Sequence, residues 1–272
     1  MRISAISYLN TAPLMWDFEH GLVDPVFRIS YTIPSECARE VENGTADIGI
    51  IPSAAYASIP DLLVLPDVAI ASKHKVRSIL LISSKPISEI KSVALDSSSL
   101  TSAALTRILF EKYWGGKRQF TSATPHPENM LVGNDAALLI GDPALQVDRS
   151  RYYTWDLAEE WNRFTGKPFV FAFWAVRGEA ARSSRLDLPR IFQQSRDHGL
   201  EPDNLRQTVT QWAAKLNLRD TVLHEYLTEN IYFHLDQGCL EGLRLFYRYA
   251  HECKVLPAVP EVSFAGRACS LI

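Results

Sequence analysis

The chain is expected to fold as a two-lobed α/β protein, the lobes joined by two crossing hinge strands. Three observations predict this. Short apolar runs alternate with helical stretches from the first residues onward, the pattern of a mostly parallel sheet covered on both faces. The alternation restarts as a second cycle near residue 92. Two longer apolar strands, at 78–84 and 168–176, bracket that second cycle. The economical division gives one lobe from residues 1–85 with 177–272, and another from residues 86–176. A ligand is expected between the lobes, with a hinge that lets them close.

Taken in order, residues 2–8 read as a buried strand that breaks into Leu9-Asn10-Thr11-Ala12-Pro13-Leu14. Pro13 suits the first turn of a helix over 12–20. A strand at 27–33 leads to Pro34-Ser35-Glu36, which opens an amphipathic helix stopped by Asn43-Gly44. Residues 47–51 form a short strand, and Pro52-Ser53-Ala54-Ala55 starts the next helix. The second cycle runs through a strand at 92–95, a polar turn at 96–100 and a helix over 101–114. Strands at 120–123 and 136–140 follow, the latter ending in Gly141-Asp142-Pro143-Ala144. From about residue 183 the pattern is helical, with a break near Asp236-Gln237-Gly238.

Composition narrows the function classes. A hydrophobic content of 47% and a charged content of 22% are those of an ordinary globular chain. The net charge of −3, with Lys and Arg scattered, gives no footprint for a nucleic-acid partner. Apolar runs fall far below the ~18 residues of a membrane span, so no membrane partner is expected. Met1-Arg2-Ile3 enters the first strand with no leader pattern ahead of it, which argues for the cytoplasm. Cys37, Cys239, Cys253 and Cys269 lack Cys-x-x-Cys spacing and read as reduced thiols. His224-Glu225 has Thr228 where a zinc helix needs its second His, so no metal is expected. Gly-x-Gly-x-x-Gly, Walker-type and Gly-x-Ser-x-Gly motifs are absent, so nothing supports a nucleotide, hydride or acyl-serine mechanism.

In open α/β sheets ligands sit at the carboxyl ends of strands. Five segments are expected there: 7–11, 52–53, 76–78, 96–102 and 141–144. Ser7, Tyr8 and Asn10 end the first strand, and Asn10 can donate and accept at once. Ser97, Ser98, Ser99, Thr101 and Ser102 put five hydroxyls in seven residues ahead of a helix. A helix start suits an anion, although a lone Ser or Thr there is also an ordinary cap. Ser78 opens a crossing strand beside both lobes. Trp155, Trp161, Trp174 and Trp212 read as packing, with Phe171, Phe173 or Trp174 as alternative cleft walls. The residues by themselves describe a binder of a small anion.

The same segments resemble the chorismate dehydratases, a family of the futalosine route of menaquinone biosynthesis. The resemblance lies in Ser-Tyr-Leu-Asn-Thr-Ala-Pro-Leu at 7–14, Asp-Ile-Gly-Ile-Ile-Pro-Ser at 47–53 and Val-Arg-Ser-Ile-Leu-Leu at 76–81. It continues in Val-Ala-Leu-Asp-Ser-Ser-Ser-Leu-Thr-Ser at 93–102, Leu-Leu-Ile-Gly-Asp-Pro-Ala-Leu at 138–145 and Pro-Phe-Val-Phe-Ala-Phe-Trp-Ala at 168–175. Tyr-Leu-Thr-Glu-Asn-Ile at 226–231 and Gly-Leu-Arg-Leu-Phe at 242–246 look like the family's closing helices. A sister family acting on cyclic dehypoxanthine futalosine begins with a Pro-Asn-Asp-Thr-like turn, unlike this chain. Ser72-Lys73-His74-Lys75 departs from the family, in which a Gly is usual.

The resemblance implies a periplasmic-binding-protein-like (type II) fold used as a cytoplasmic lyase. It implies removal of water from chorismate to give 3-[(1-carboxyvinyl)oxy]benzoate, with no metal or organic cofactor. By family position Asn10 and Ser78 carry function. Thr101 and Ser102, with Ser98 and Ser99, would hold a carboxylate. Ser53, Gly141 and Asp142 would complete the wall, beside Ser7 and Tyr8. The sister enzyme acting on cyclic dehypoxanthine futalosine is the runner-up among enzymes, and non-catalytic binding of a small carboxylate is the rival from another class. A homodimer is compatible with the sequence.

Overall fold

A computed structural model describes residues 1–266; Cys269 lies outside the described residues. The strands are β1 (Arg2–Ile6), β2 (Arg28–Thr32), β3 (Ile48–Pro52), β4 (Leu62–Ser72), β5 (Ile79–Ser83), β6 (Ser92–Asp96), β7 (Gln119–Ala123), β8 (Ala136–Ile140), β9 (Tyr153–Asp156) and β10 (Phe169–Arg177). They form two five-stranded sheets of order β2-β1-β3-β10-β4 and β7-β6-β8-β5-β9.

The sheets repeat one plan. Three parallel strands, β2-β1-β3 in one and β7-β6-β8 in the other, are each followed by an antiparallel strand, β10 or β5. An edge strand, β4 or β9, closes each sheet. β3, β5 and β8 are buried along their whole length and β10 along all but its last residue, as expected for continuous apolar runs covered on both faces.

Sheet membership corrects the division read from the sequence. β5 lies in the second sheet although it was assigned to residues 1–85, and β10 lies in the first although most of it was assigned to 86–176. The chain changes sheet after β4 and again between β9 and β10. Periodicity cannot reveal this, because a buried strand looks the same in either sheet.

β4 and β9 were not anticipated. Pro66 and Asp67 interrupt the apolar run of β4, and Asp67 has φ +59°. The pairing with β10 shifts register there, since Ala69 and Val64 face neighbouring partners on β10 across an irregularity, as at a bulge. The expected helix over 12–20 is a 3₁₀ stretch, Leu9–Met15, followed by one α turn, Trp16–Glu19. The helix expected to reach Trp114 is α-helical over Leu100–Leu109 and closes in a π turn, Phe110–Trp114.

The first crossing is fixed by one carboxylate. Asp156, at the end of β9, accepts Val76 N–H at 3.1 and 3.0 Å and Arg77 N–H at 2.6 Å. The same side chain caps the helix Leu157–Thr165 by accepting from Ala158 N–H at 3.1 Å and Glu159 N–H at 3.2 Å. Arg77 has φ +63°, so the crossing turns sharply at the point held. The atypical segment before it is also secured: Ser72 Oγ donates to Lys75 O at 2.9 Å, and Asn162 Nδ2 donates to Lys73 O at 3.1 Å.

Cys37 and Cys239 are buried free thiols and Cys253 is a half-buried one, as the spacing suggested. Asp156→Ala removes a cap and strands the buried Val76 N–H. It is expected to lower unfolding stability by about 2–4 kcal/mol, read from urea denaturation.

Candidate functional site

Between the sheets lies a cavity floored by Ile6, Ile70, Ile79, Ile140 and Phe171, with Pro34, Pro52 and Ala172 beside them. Its polar lining is Tyr8, Asn10, Ser99, Thr101 and Ser102, with Gly141 at the edge. The first strand's end and the serine-rich turn therefore share one space, although about ninety residues separate them in sequence. The free volume is about 50 Å³, room for a few waters. Phe171 is a cavity wall, whereas Phe173 and Trp174 are fully buried core residues. Larger hollows of about 480 and 730 Å³ open on outer faces and touch none of the predicted site residues.

The small volume follows from how the lobes meet. Leu9 N–H donates to Asp142 Oδ1 at 3.0 Å, Ser35 N–H to Ser98 O at 3.1 Å, and Ala54 N–H to Thr101 Oγ1 at 3.1 Å. All three donors stand at helix starts of the first lobe, where backbone N–H groups lack helical partners. All three acceptors belong to the second lobe. Each bond is worth about 0.5–1.5 kcal/mol net, so separating the lobes is a modest expense that a ligand's contacts can offset.

The predicted residues divide accordingly. Ser99 caps the helix Leu100–Leu109, accepting Ser102 N–H at 3.2 Å, so its capping and lining roles coincide. Ser98 does not line the cavity, and its Oγ donates to Asp96 Oδ1 at 2.6 Å. Ser53 does not line the cavity either, because its hydroxyl donates to Val170 O at 2.8 Å. Ser7, the first residue after β1, is exposed and donates to Thr32 O at 3.4 Å. With Tyr8, Thr11, Trp212 and Lys215 it borders a neighbouring hollow of about 310 Å³. Tyr8 separates the two spaces.

Gly141 is needed twice over. Its φ is +61°, and a Cβ there would stand 2.6 Å from ring carbons of Tyr8. The Tyr8 phenol lies against Ser98, and burial holds its pKa above the ordinary value. Ser78 is fully buried and does not itself line the cavity, although the next residue, Ile79, does. The Ser78 carbonyl accepts Gly141 N–H at 2.8 Å, and Ser78 Oγ accepts from Tyr226 Oη at 2.9 Å. Sequence reasoning assigned Tyr226 only to a closing helix, and no local pattern announces a partner 148 residues away. Asn10 Oδ1 and Thr11 Oγ1 are buried acceptors with no protein partner, as is Asp96 Oδ2.

Two buried carboxyls flank the cavity. Burial pushes Asp96 upward despite the Ser98 hydroxyl and N–H. Burial likewise raises Asp142 from 3.8 to about 6, against the Leu9 N–H and the Lys215 charge. A carboxyl raised in the folded state binds more protons than in the unfolded chain between those two values. Its contribution to stability therefore falls as pH rises from about 4 to about 6 and is level above that. Asp142→Asn keeps an acceptor for Leu9 N–H without the buried charge. Relative to this variant, the native chain is expected to lose about 2–3 kcal/mol across that window, read from urea denaturation at pH 4, 5, 6 and 8. Among the described residues no group of three or more His, Cys, Asp or Glu is placed to hold a metal ion, and no helix is long and apolar enough to cross a membrane.

Comparison with known proteins agrees with this architecture. A protein of Archaeoglobus fulgidus superposes with a TM-score of 0.71 at 14% identity, over 93% of this chain and 97% of that one. The periplasmic aliphatic sulphonate binding protein of Escherichia coli superposes with a TM-score of 0.65 at 17% identity, over 100% of this chain and 96% of that one. These likenesses bear out the expected periplasmic-binding-protein-like fold. The chorismate dehydratase of Thermus thermophilus is 28% identical over 257 residues, 88% of this chain and 91% of that protein. Residues 1–252 match the family model described as menaquinone biosynthesis, and the chain belongs to that family.

Proposed function

We propose that the protein is a cytoplasmic lyase that dehydrates chorismate to 3-[(1-carboxyvinyl)oxy]benzoate. The observation that carries the reading is the convergence of Asn10 with Ser99, Thr101 and Ser102 on one apolar-floored cavity between closing lobes. Membership of a menaquinone-biosynthesis family and the likeness to a chorismate dehydratase support it. Chorismate carries two carboxylates and a ring hydroxyl, and the cavity edge offers hydroxyls, helix-start N–H groups and an unpartnered amide oxygen.

Opening of the lobes frees the Leu9, Ser35 and Ala54 N–H groups from their partners in the second lobe. Freed N–H groups at helix starts are suited to a carboxylate. The reaction removes a ring proton and the ring hydroxyl together as water and leaves an aromatic ring, so it is strongly downhill. What the protein must supply is orientation and exclusion of solvent. In this scheme Asn10 orients the departing hydroxyl, accepting its proton side through Oδ1. Ser78 donates to a substrate carboxylate or to developing charge. Ser99, Thr101 and Ser102 hold a carboxylate, and a substrate carboxylate takes the ring proton and passes it to the departing hydroxyl, which leaves as water. Re-closure over the ring leaves Ile6, Ile70, Ile79, Ile140 and Phe171 as its apolar bed.

Incubation with chorismate is expected to deplete its absorbance and yield a product lighter by one water, read by mass spectrometry. A chain that binds chorismate without consuming it would be a carboxylate-binding protein instead. Asn10→Ala and Ser78→Ala are each expected to lower kcat about 100-fold, the scale set by misplaced reacting groups. Wild-type kcat in both variants would remove these roles.

A further inference from the structure

We infer that Tyr226 is a positioning residue that aims the Ser78 hydroxyl, and that the π turn beginning at Tyr226 exists to deliver its phenol to the hinge. The inference rests on the dehydratase reading, which gives Ser78 and Asn10 their work. Three observations carry it. The Ser78 backbone is fixed on both sides: Val76 and Arg77 N–H are held by Asp156, and Ser78 O accepts Gly141 N–H at 2.8 Å. What remains free is the side-chain rotamer and the direction of its O–H.

The second observation is that the phenol settles both. Tyr226 is 1% exposed, and its Oη donates to Ser78 Oγ at 2.9 Å. With one lone pair of Oγ engaged, the Ser78 proton must point elsewhere, so the serine serves as a donor. A hydroxyl that accepts one hydrogen bond is a stronger donor in the next. The Asn10 side chain faces the same phenol. Burial holds the phenol well above its ordinary pKa, with Asp142 adding to the rise, so it stays a neutral donor across the working pH range.

The third is the backbone that carries it. The helix Asp220–Glu225 passes directly into a π turn, Tyr226–Asn230. Such a turn inserts a residue into helical spacing and re-aims the side chains at its start, and π turns concentrate at functional sites.

Tyr226→Phe keeps the ring and removes only the oxygen. With a folded chain verified by circular dichroism, kcat for chorismate is expected to fall at least 10-fold while KM changes less than 3-fold. The doubly substituted Y226F/S78A chain is expected to match S78A alone within 2-fold, because the phenol acts only through the serine. Three outcomes overturn the inference: a kcat for Y226F within 2-fold of the native chain, losses in the double variant that multiply, or a Y226F chain that fails to fold. Native chain that leaves chorismate unchanged removes the dehydratase reading and this inference with it. Native activity with an unaffected Y226F removes this inference alone.

Discussion

Four backbone N–H groups converge on the carboxylate of Asp156, and the position of the two lobes follows from that convergence. Two of the donors belong to the strand-to-strand crossing and two to the start of the helix that leads back. One side chain therefore joins the outgoing and the returning connection. The site depends on it because Ser78 is the residue immediately after the tethered pair. A hinge made of two independent loops would leave Ser78 less firmly placed. Tied to a buried carboxylate, it starts β5 at a fixed point relative to both sheets.

The cavity is built from complementary incompleteness. The first lobe presents helix starts with spare N–H donors, and the second presents oxygen acceptors: a carboxylate, a carbonyl and a threonine hydroxyl. In the closed arrangement these satisfy one another at Leu9, Ser35 and Ala54. A ligand entering an opened cleft exchanges protein partners for its own oxygens, so closure and recognition draw on the same groups. The buried acceptor Asn10 Oδ1 lies outside that exchange and marks where a ligand's donor has no competitor.

The strand ends were legible because their chemistry is local. An apolar run that stops at Tyr8 and Asn10, or at Gly141-Asp142, declares both its burial and its polar terminus within a few residues. The serine-rich turn declared itself in the same way, and the structure shows that it is a cap and a wall together. Orientation within the turns was not legible. Ser7, Ser53 and Ser98 have the same hydroxyl as Ser99, yet each spends it on a neighbouring backbone or carboxylate oxygen. Tyr226 was hidden for another reason, since its meaning depends on a partner contributed by the opposite lobe. β4 was concealed by Pro66 and Asp67, which a bulge accommodates. The sheet allegiance of β5 and β10 is a property of three-dimensional pairing that no single strand carries.

The placement of β10 has a consequence for how the molecule is made. The second sheet is assembled from one uninterrupted stretch, Ile79 to Asp156, whereas in the first sheet β10 sits between β3 and β4. Until residues 169–177 have left the ribosome, β3 and β4 have no common neighbour, and the first lobe carries an open seam at its centre. Domains complete themselves as units during synthesis, and unpaired strand edges invite misassociation. The interior of the chain therefore matures before its beginning does, and a late strand acts as the keystone that seals the earlier-made half.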